Sequence, residues 1–396
     1  MKTALIHDHL AQDGGAERVL KVFADMFPTA PIYTLLYEKD NVDKYYKNRR
    51  VDTSIIQRLP GGVKHYQWYM PFMPIAVEFF DLSDYDLVIS DTSSFAKGVI
   101  TQPHTLHICY CHTPTRYLWS DTHQYINELK YNKYLKKIIS LVLTRIRTWD
   151  RLAADRVDVF IANSKTVQQR IKKYYRRDSE VIYPPVETET FSIALNDPFS
   201  NDDKYFLAGC RLAPYKRIDI VIEAFLALGN DYKLKIFGDG VDMTRLMKLA
   251  GPNAKNIEFL GRVTDEEKAV LYQNCLAFIN PQEEDFGITP VEAMAAGRPI
   301  LAYRRGGATE TVEENVSGLF FDVQSSDAIK NTVKDFFEGT VSGKHKWDSK
   351  LIRQRAERFS VQNFKDAIKK FIDKNLDPRL CEDDDSSLSF RTRSGI

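Results

Sequence analysis

Short apolar runs recur along the chain, and between them apolar positions return every three or four residues. The first pattern marks strands buried on both faces, the second amphipathic helices. In the first half the runs at 3–7, 87–90, 106–110, 159–162 and 180–182 predict strands. In the second half those at 205–208, 234–237, 257–259, 277–279 and 300–303 do so. A helix is expected over 217–228, where Ile218, Val221, Ile222 and Phe225 share one face. Strands alternating with helices imply βαβ units, parallel sheets and an α/β fold. Pro184-Pro185 and the polar, turn-rich 196–203 place a linker at 183–203, which predicts domains 1–190 and 191–376. A chain of 396 residues suits two cores better than one. Two open sheets facing a central cleft would hold a ligand there, at the carboxyl ends of their strands. Residues 377–396 have the composition of a disordered tail.

Composition narrows the class. Hydrophobic content of 43% and charged content of 28% describe a soluble globular protein. Met1-Lys2 runs straight into the first strand, without the apolar core of a signal peptide. The apolar run 138–143 is broken by Ser140 and is far too short to span a bilayer. Five cysteines, at 109, 111, 210, 275 and 381, include one C-x-C pair with no second pair, which argues for reduced thiols rather than zinc. The net charge is only +1, yet 130–178 carries fourteen Lys/Arg against four Asp.

The densest chemistry lies in E-D-F-G-I-T-P-V-E, from Glu284 to Glu292, leading into A-M-A-A-G-R-P-I. Gly287 lets a ligand approach the backbone. Thr289 reads as an N-cap, Pro290 as the first helical residue and 293–296 as helix body. Such a helix start offers free N–H groups to phosphate, and a carboxylate on either side could take sugar or ribose hydroxyls. Glu292 has a second reading, since Thr289-x-x-Glu292 also fits a capping box. Arg211 and Lys216, in R-L-A-P-Y-K between a strand and a helix, oppose the helix dipole unless an anion binds there. Gly14 and Gly15, followed by Glu17, form a turn after the first strand that is not G-x-G-x-x-G. His112 in H-T-P-T-R follows another strand, and Arg116 lies one turn on. Asp84-Tyr85-Asp86 precedes its strand, the wrong end for an active site, and Asp383–Asp385 lies in the tail, so no metal site is expected.

Taken together, R-L-A-P-Y-K, E-D-F-G-I-T-P-V-E-A-M-A-A-G, G-G-A-E and H-T-P-T-R resemble the retaining family-4 glycosyltransferases of the GT-B fold. The stretch M-P-F-M-P-I-A-V-E-F-F-D-L-S-D-Y-D is similar to mannosyltransferases of bacterial O-antigen and capsule assembly. The resemblance implies two Rossmann-like domains. The first, 1–190, would bind the acceptor. The second, 191–376, would bind the nucleotide sugar, with its last helix free to cross back to the first domain. It implies that Arg211 and Lys216 hold the donor diphosphate, Glu292 the ribose, and Glu284 the sugar hydroxyls beside the backbone of Phe286, Gly287 and Ile288. It implies His112 at the reacting centre, with Gly14, Gly15, Glu17 and Arg116 on the acceptor side. No metal or other cofactor is required. The donor expected is GDP-mannose, with a UDP-sugar as the alternative, and the acceptor a glycolipid or oligosaccharide; no nucleic-acid partner is expected. The alternatives are an inactive nucleotide-sugar-binding component of a polysaccharide assembly complex and a sugar-nucleotide epimerase on the same fold.

Residues 130–151 combine seven Lys/Arg with Tyr134, Leu135, Ile138, Leu141 and Trp149. As one helix this is the pattern of an interfacial segment held by anionic lipid. The other reading is an amphipathic helix packed on the first domain. Reduced thiols and the missing signal peptide predict a cytoplasmic protein, and the first reading adds a peripheral place on the inner face of the cell membrane.

Overall fold

The computed structural model describes residues 1–11, 14–39, 45–194, 204–252 and 254–376. The predicted tail at 377–396 and the linker positions 195–203 lie outside the described residues. The chain divides into two compact units. One holds 1–163, 167–182 and the segment beginning at Lys365; the other holds 164–166 and 183–364.

The first unit contains a seven-stranded parallel sheet of order β3-β2-β1-β4-β5-β6-β7. Its strands are β1 (Thr3–Leu10), β2 (Ile32–Tyr37), β3 (Val51–Thr53), β4 (Leu87–Thr92), β5 (Leu106–Cys111), β6 (Val159–Ala162) and β7 (Ser179–Val181). The second contains a six-stranded parallel sheet of order β10-β9-β8-β11-β12-β13. Its strands are β8 (Tyr205–Gly209), β9 (Lys233–Phe237), β10 (Ile257–Gly261), β11 (Phe278–Asn280), β12 (Ile300–Tyr303) and β13 (Gly318–Phe321). All ten predicted strands are present. β2, β3 and β13 were not predicted.

In each sheet the strand order reverses once, between β1 and β4 in the first and between β8 and β11 in the second. At such a switch point neighbouring connections leave on opposite faces and open a crevice at the strands' carboxyl ends. The core of the second unit, with Phe206, Val221, Phe225, Ile236 and Phe336 fully buried, packs around β8 and so fixes that crevice. In the first unit Ile6, Val88, Phe95 and Ile146 do the same around β1 and β4.

Candidate active site

In the second unit both switch-point loops carry charge. After β8 the chain passes through Cys210 and Arg211 into a short 3-10 turn at Pro214–Lys216, and Arg217 then enters the Ile218–Leu228 helix with φ of 55°. Lys216 is mostly buried, and its ammonium bonds Oε1 of Glu284 in the loop after β11. Burial opposes its charge, but the Glu284 carboxylate outweighs that and raises its pKa. Arg211 is exposed and donates to the Tyr215 hydroxyl at 3.3 Å. Burial pushes the Cys210 thiol up to about 12, so the sulfur beside this site is no thiolate nucleophile.

Oε2 of Glu284 is buried and has no hydrogen-bond partner among the described residues. It lies 3.1 Å from where a Cβ on Gly287 would stand, and Gly287 has φ of +91°. The glycine is required twice, by its backbone and by the carboxylate against it. The loop is also backed by Gly306, at φ of +59°, where a Cβ would meet the Glu284 carbonyl oxygen at 2.2 Å. Gly307 N–H donates to that same carbonyl at 2.8 Å. These two glycines after β12 serve the site, and sequence reasoning passed over them. The doublet G-G in Y-R-R-G-G-A, directly after a predicted strand, was the available signal.

The helix after this loop runs Ile288–Ala295 with Gly287, rather than Thr289, at its N-cap. The capping-box reading of Glu292 is therefore corrected. Its carboxylate accepts from Lys268 Nζ at 3.2 Å and Tyr272 OH at 3.1 Å, both on the Asp265–Asn274 helix. The left-handed turn at Gly287 starts the helix early and leaves Glu292 inside the domain, 1% exposed. Ile288 is half-buried at the helix start, while the Phe286 ring is core, 5.3 Å from Phe359 and 5.8 Å from Tyr183, so only its backbone can meet a ligand.

In the first unit, register builds the site. His7 on β1 pairs Asp91 on β4, and Asp91 pairs Tyr110 on β5, so the three side chains share one face. His112 lies two residues beyond Tyr110 on the same face, its ring 5.3 Å away. His112 Nε2 lies 2.6 Å from Asp91 Oδ1, and His7 Nδ1 lies 2.9 Å from Asp91 Oδ2. Gly14 caps the Gly15–Met26 helix, and Glu17 accepts from Gly14 N–H at 3.0 Å. Burial raises the Glu17 carboxyl, against the pull of His7. Arg116 is tied by Nε to Asp121 at 2.7 Å. Sequence reasoning identified His112 and missed the Asp91 and His7 that hold it. Asp86 of the D-x-D run accepts from the Lys2 backbone at 2.7 Å, at the amino end of β4.

The basic stretch forms the Lys133–Ala153 helix, capped by Asn132. Its carboxyl half packs inward through Leu143, Ile146 and Asp150, the last paired with the buried Lys97 at 2.5 Å. Trp149 donates to Glu78 at 2.8 Å. Tyr134, Ile138 and Leu141 are exposed, as are Lys133 and Lys137. Among the described residues no helix is long and apolar enough to cross a membrane.

Comparison with known proteins bears on the family and the fold. The Glycosyl transferases group 1 profile matches residues 195–354, and Glycosyltransferase Family 4 matches 13–190. The alpha-1,3/1,6-mannosyltransferase ALG2 of Dictyostelium discoideum is 24% identical over 85% of this chain and 88% of its own. That of Mus musculus is 24% identical over 77% of each. The crystal structure of HepE from Anabaena with UDP superposes with a TM-score of 0.70 at 20% identity, over 94% of this chain and 100% of that one. Sucrose-phosphate synthase from Thermosynechococcus elongatus gives 0.71 at 15% identity, over 94% and 99%. With two parallel switch-point sheets and both profiles matched in order, the chain belongs to the GT-B glycosyltransferases, family 4 in its amino-terminal part and group 1 in its carboxyl-terminal part.

Proposed function

We propose that the chain transfers mannose from GDP-mannose to a lipid-linked or polysaccharide acceptor with retention of anomeric configuration. The observation that carries this reading is Glu284, with one oxygen on the Lys216 ammonium and the other buried without a partner beside Gly287. An orphaned carboxylate oxygen is costly until a donor reaches it, and sugar hydroxyls are such donors. Lys216 and Arg211 would take the diphosphate, and the N–H groups at Gly287 and Ile288, with the Phe286 backbone, would support it. Glu292 would reach the ribose by exchanging one of its present partners. His112 would meet the sugar, and Gly14, Gly15, Glu17 and Arg116 would line the acceptor side. The mannosyltransferase relatives support mannose, while HepE with UDP keeps uridine donors as the competing choice.

In the reaction the bond from the sugar anomeric carbon to the diphosphate oxygen breaks, and the acceptor oxygen bonds that carbon on the same face. The acceptor proton passes to the leaving phosphate oxygen. No protein nucleophile or metal is needed, and Arg211 and Lys216 stabilise the growing charge on the diphosphate.

The acceptor side would rest on anionic membrane at the cytoplasmic face through the exposed stripe Tyr134, Ile138 and Leu141 and its flanking lysines. The exposed Trp68, Phe72, Ile75 and Phe79 on neighbouring elements of the same unit support that contact.

The test offers GDP-, UDP- and ADP-sugars to the purified chain with bacterial lipid-linked acceptors and reads products by mass and anomeric coupling. The expected product carries one added hexose in the donor's anomeric configuration. Isomerised donor without transfer, or no turnover of any donor, would overturn the reading.

A further inference from the structure

Asp91 is a fully buried carboxylate at the carboxyl end of β4, with each oxygen on a different imidazole. Burying a carboxylate costs several kcal/mol unless every oxygen is answered by a donor. Both oxygens are answered by imidazoles, and one of these, His112, is 12% exposed, while His7 and Asp91 are shut in.

We propose that Asp91 and His7 are positioning residues for His112, fixing its ring and leaving Nδ1 as a hydrogen-bond acceptor for a hydroxyl of the transferred sugar. This rests on the reading of His112 as the residue that meets the sugar. An ionised carboxylate only accepts, so His112 must carry its proton on Nε2, facing Asp91. Nδ1 has no partner among the described residues and is the ring nitrogen left for a ligand. His7 supplies the second half. Burial disfavours its charge, but the bond to Asp91 and the Asp91 charge outweigh this, with smaller help from Glu17 and Asp8, and raise its pKa to about 9. A cationic His7 answers Asp91 Oδ2, which leaves Asp91 Oδ1 to orient His112. Carboxylates hydrogen-bonded to the far nitrogen of a histidine set its tautomer in the same way.

The test reads the imidazoles directly and then turnover. In the full chain carrying 15N-labelled histidine, long-range proton–nitrogen NMR should show His112 as the Nε2–H tautomer at pH 7.5 and His7 doubly protonated. Asp91→Asn, whose amide can also donate, should mix the His112 tautomers. It should lower kcat for nucleoside-diphosphate release from GDP-mannose about 10- to 100-fold, with donor KM changed far less. His7→Gln, which leaves Asp91 Oδ2 without its charged partner, should lower kcat in the same direction. An Nδ1–H tautomer in the wild type overturns the proposal even if no variant folds. If His112→Ala abolishes turnover while folded Asp91→Asn keeps wild-type kcat and pH profile, this inference alone fails. If His112→Ala turns over normally, the reading it rests on fails with it.

Discussion

Glu284 and Glu292 look alike in the motif but occupy opposite environments, and they should respond differently to neutralisation. Glu284→Gln keeps the loop and removes a carboxylate that is partly open, so donor affinity should fall at least about tenfold, close to 1.4 kcal/mol, with little change in melting. Glu292→Ala strands Lys268, whose other carboxylate partner, Asp265, is more than half exposed. Losing one member of a buried pair costs about 3 kcal/mol, so that variant should melt several degrees lower. Calorimetry on both, with donor titration, checks the contrast; equal melting would show that Glu292 is not a structural anchor. pH reports on the other unit. His7 has a folded pKa near 9 against 6.5 unfolded, so its stabilisation is complete below about 6.5 and is lost as pH rises through 9. At about 1.4 kcal/mol per unit this amounts to roughly 3 kcal/mol. His9 and His107 run oppositely: burial lowers their pKa to about 4 and about 3, so stability is full above 6.5 and falls as pH drops through those values. Melting temperature should therefore peak near neutrality, and His7→Gln should flatten the alkaline limb. An unchanged alkaline limb in that variant would contradict a cationic His7. Glu284, Lys216 and His112 were legible because each stands in a short motif beside a strand end. Asp91 and His7 were not, since they meet across 84 residues through parallel-strand register that no local pattern records.

At the scale of elements, the Lys133–Ala153 helix divides along its length. Its carboxyl half is fixed by Asp150, which takes Lys97, Thr115 and Trp119. Much of the basic excess has structural work: Arg147 bonds the Leu118 carbonyl, Arg156 bonds Glu78, and Arg177 bonds four backbone carbonyls. The exposed lysines and apolar stripe of the amino half are what the proposed lipid contact would use. Changing Lys133 and Lys137 to Glu should weaken flotation with anionic liposomes, by about 1 kcal/mol per lysine from the lost attraction alone, and more so at low salt. Equal flotation of both proteins, or none by either, would mean the stripe serves something else. This helix also shows what sequence reads and misses. Its amphipathicity predicted a helix, but which half would be covered depended on Lys97 and Glu78, distant in sequence. β2 escaped prediction for a related reason: I-Y-T-L-L-Y is buried throughout and has no alternation to distinguish it. β3 is three half-buried residues, too short to register.

For the whole molecule, the repeated logic is one switch point per sheet, each furnished with titratable groups by the loops at its strand ends. The alternation of strands and helices made both sheets legible, whereas strand order had to come from the structure, and strand order places the sites. In the proposed reaction the cationic loop answers the diphosphate charge, so excess EDTA should leave transfer unchanged; loss restored by magnesium or manganese would contradict the assignment of charge stabilisation to Arg211 and Lys216. The most direct measurement is nucleoside-diphosphate release from GDP-mannose by wild type and Lys216→Ala, with circular dichroism confirming the fold of each. Removing one preorganised donor from the departing charge should cost about 2–4 kcal/mol of transition-state stabilisation, roughly 30- to 1,000-fold in kcat. Wild-type turnover in a folded Lys216→Ala would contradict the diphosphate site on which the account rests.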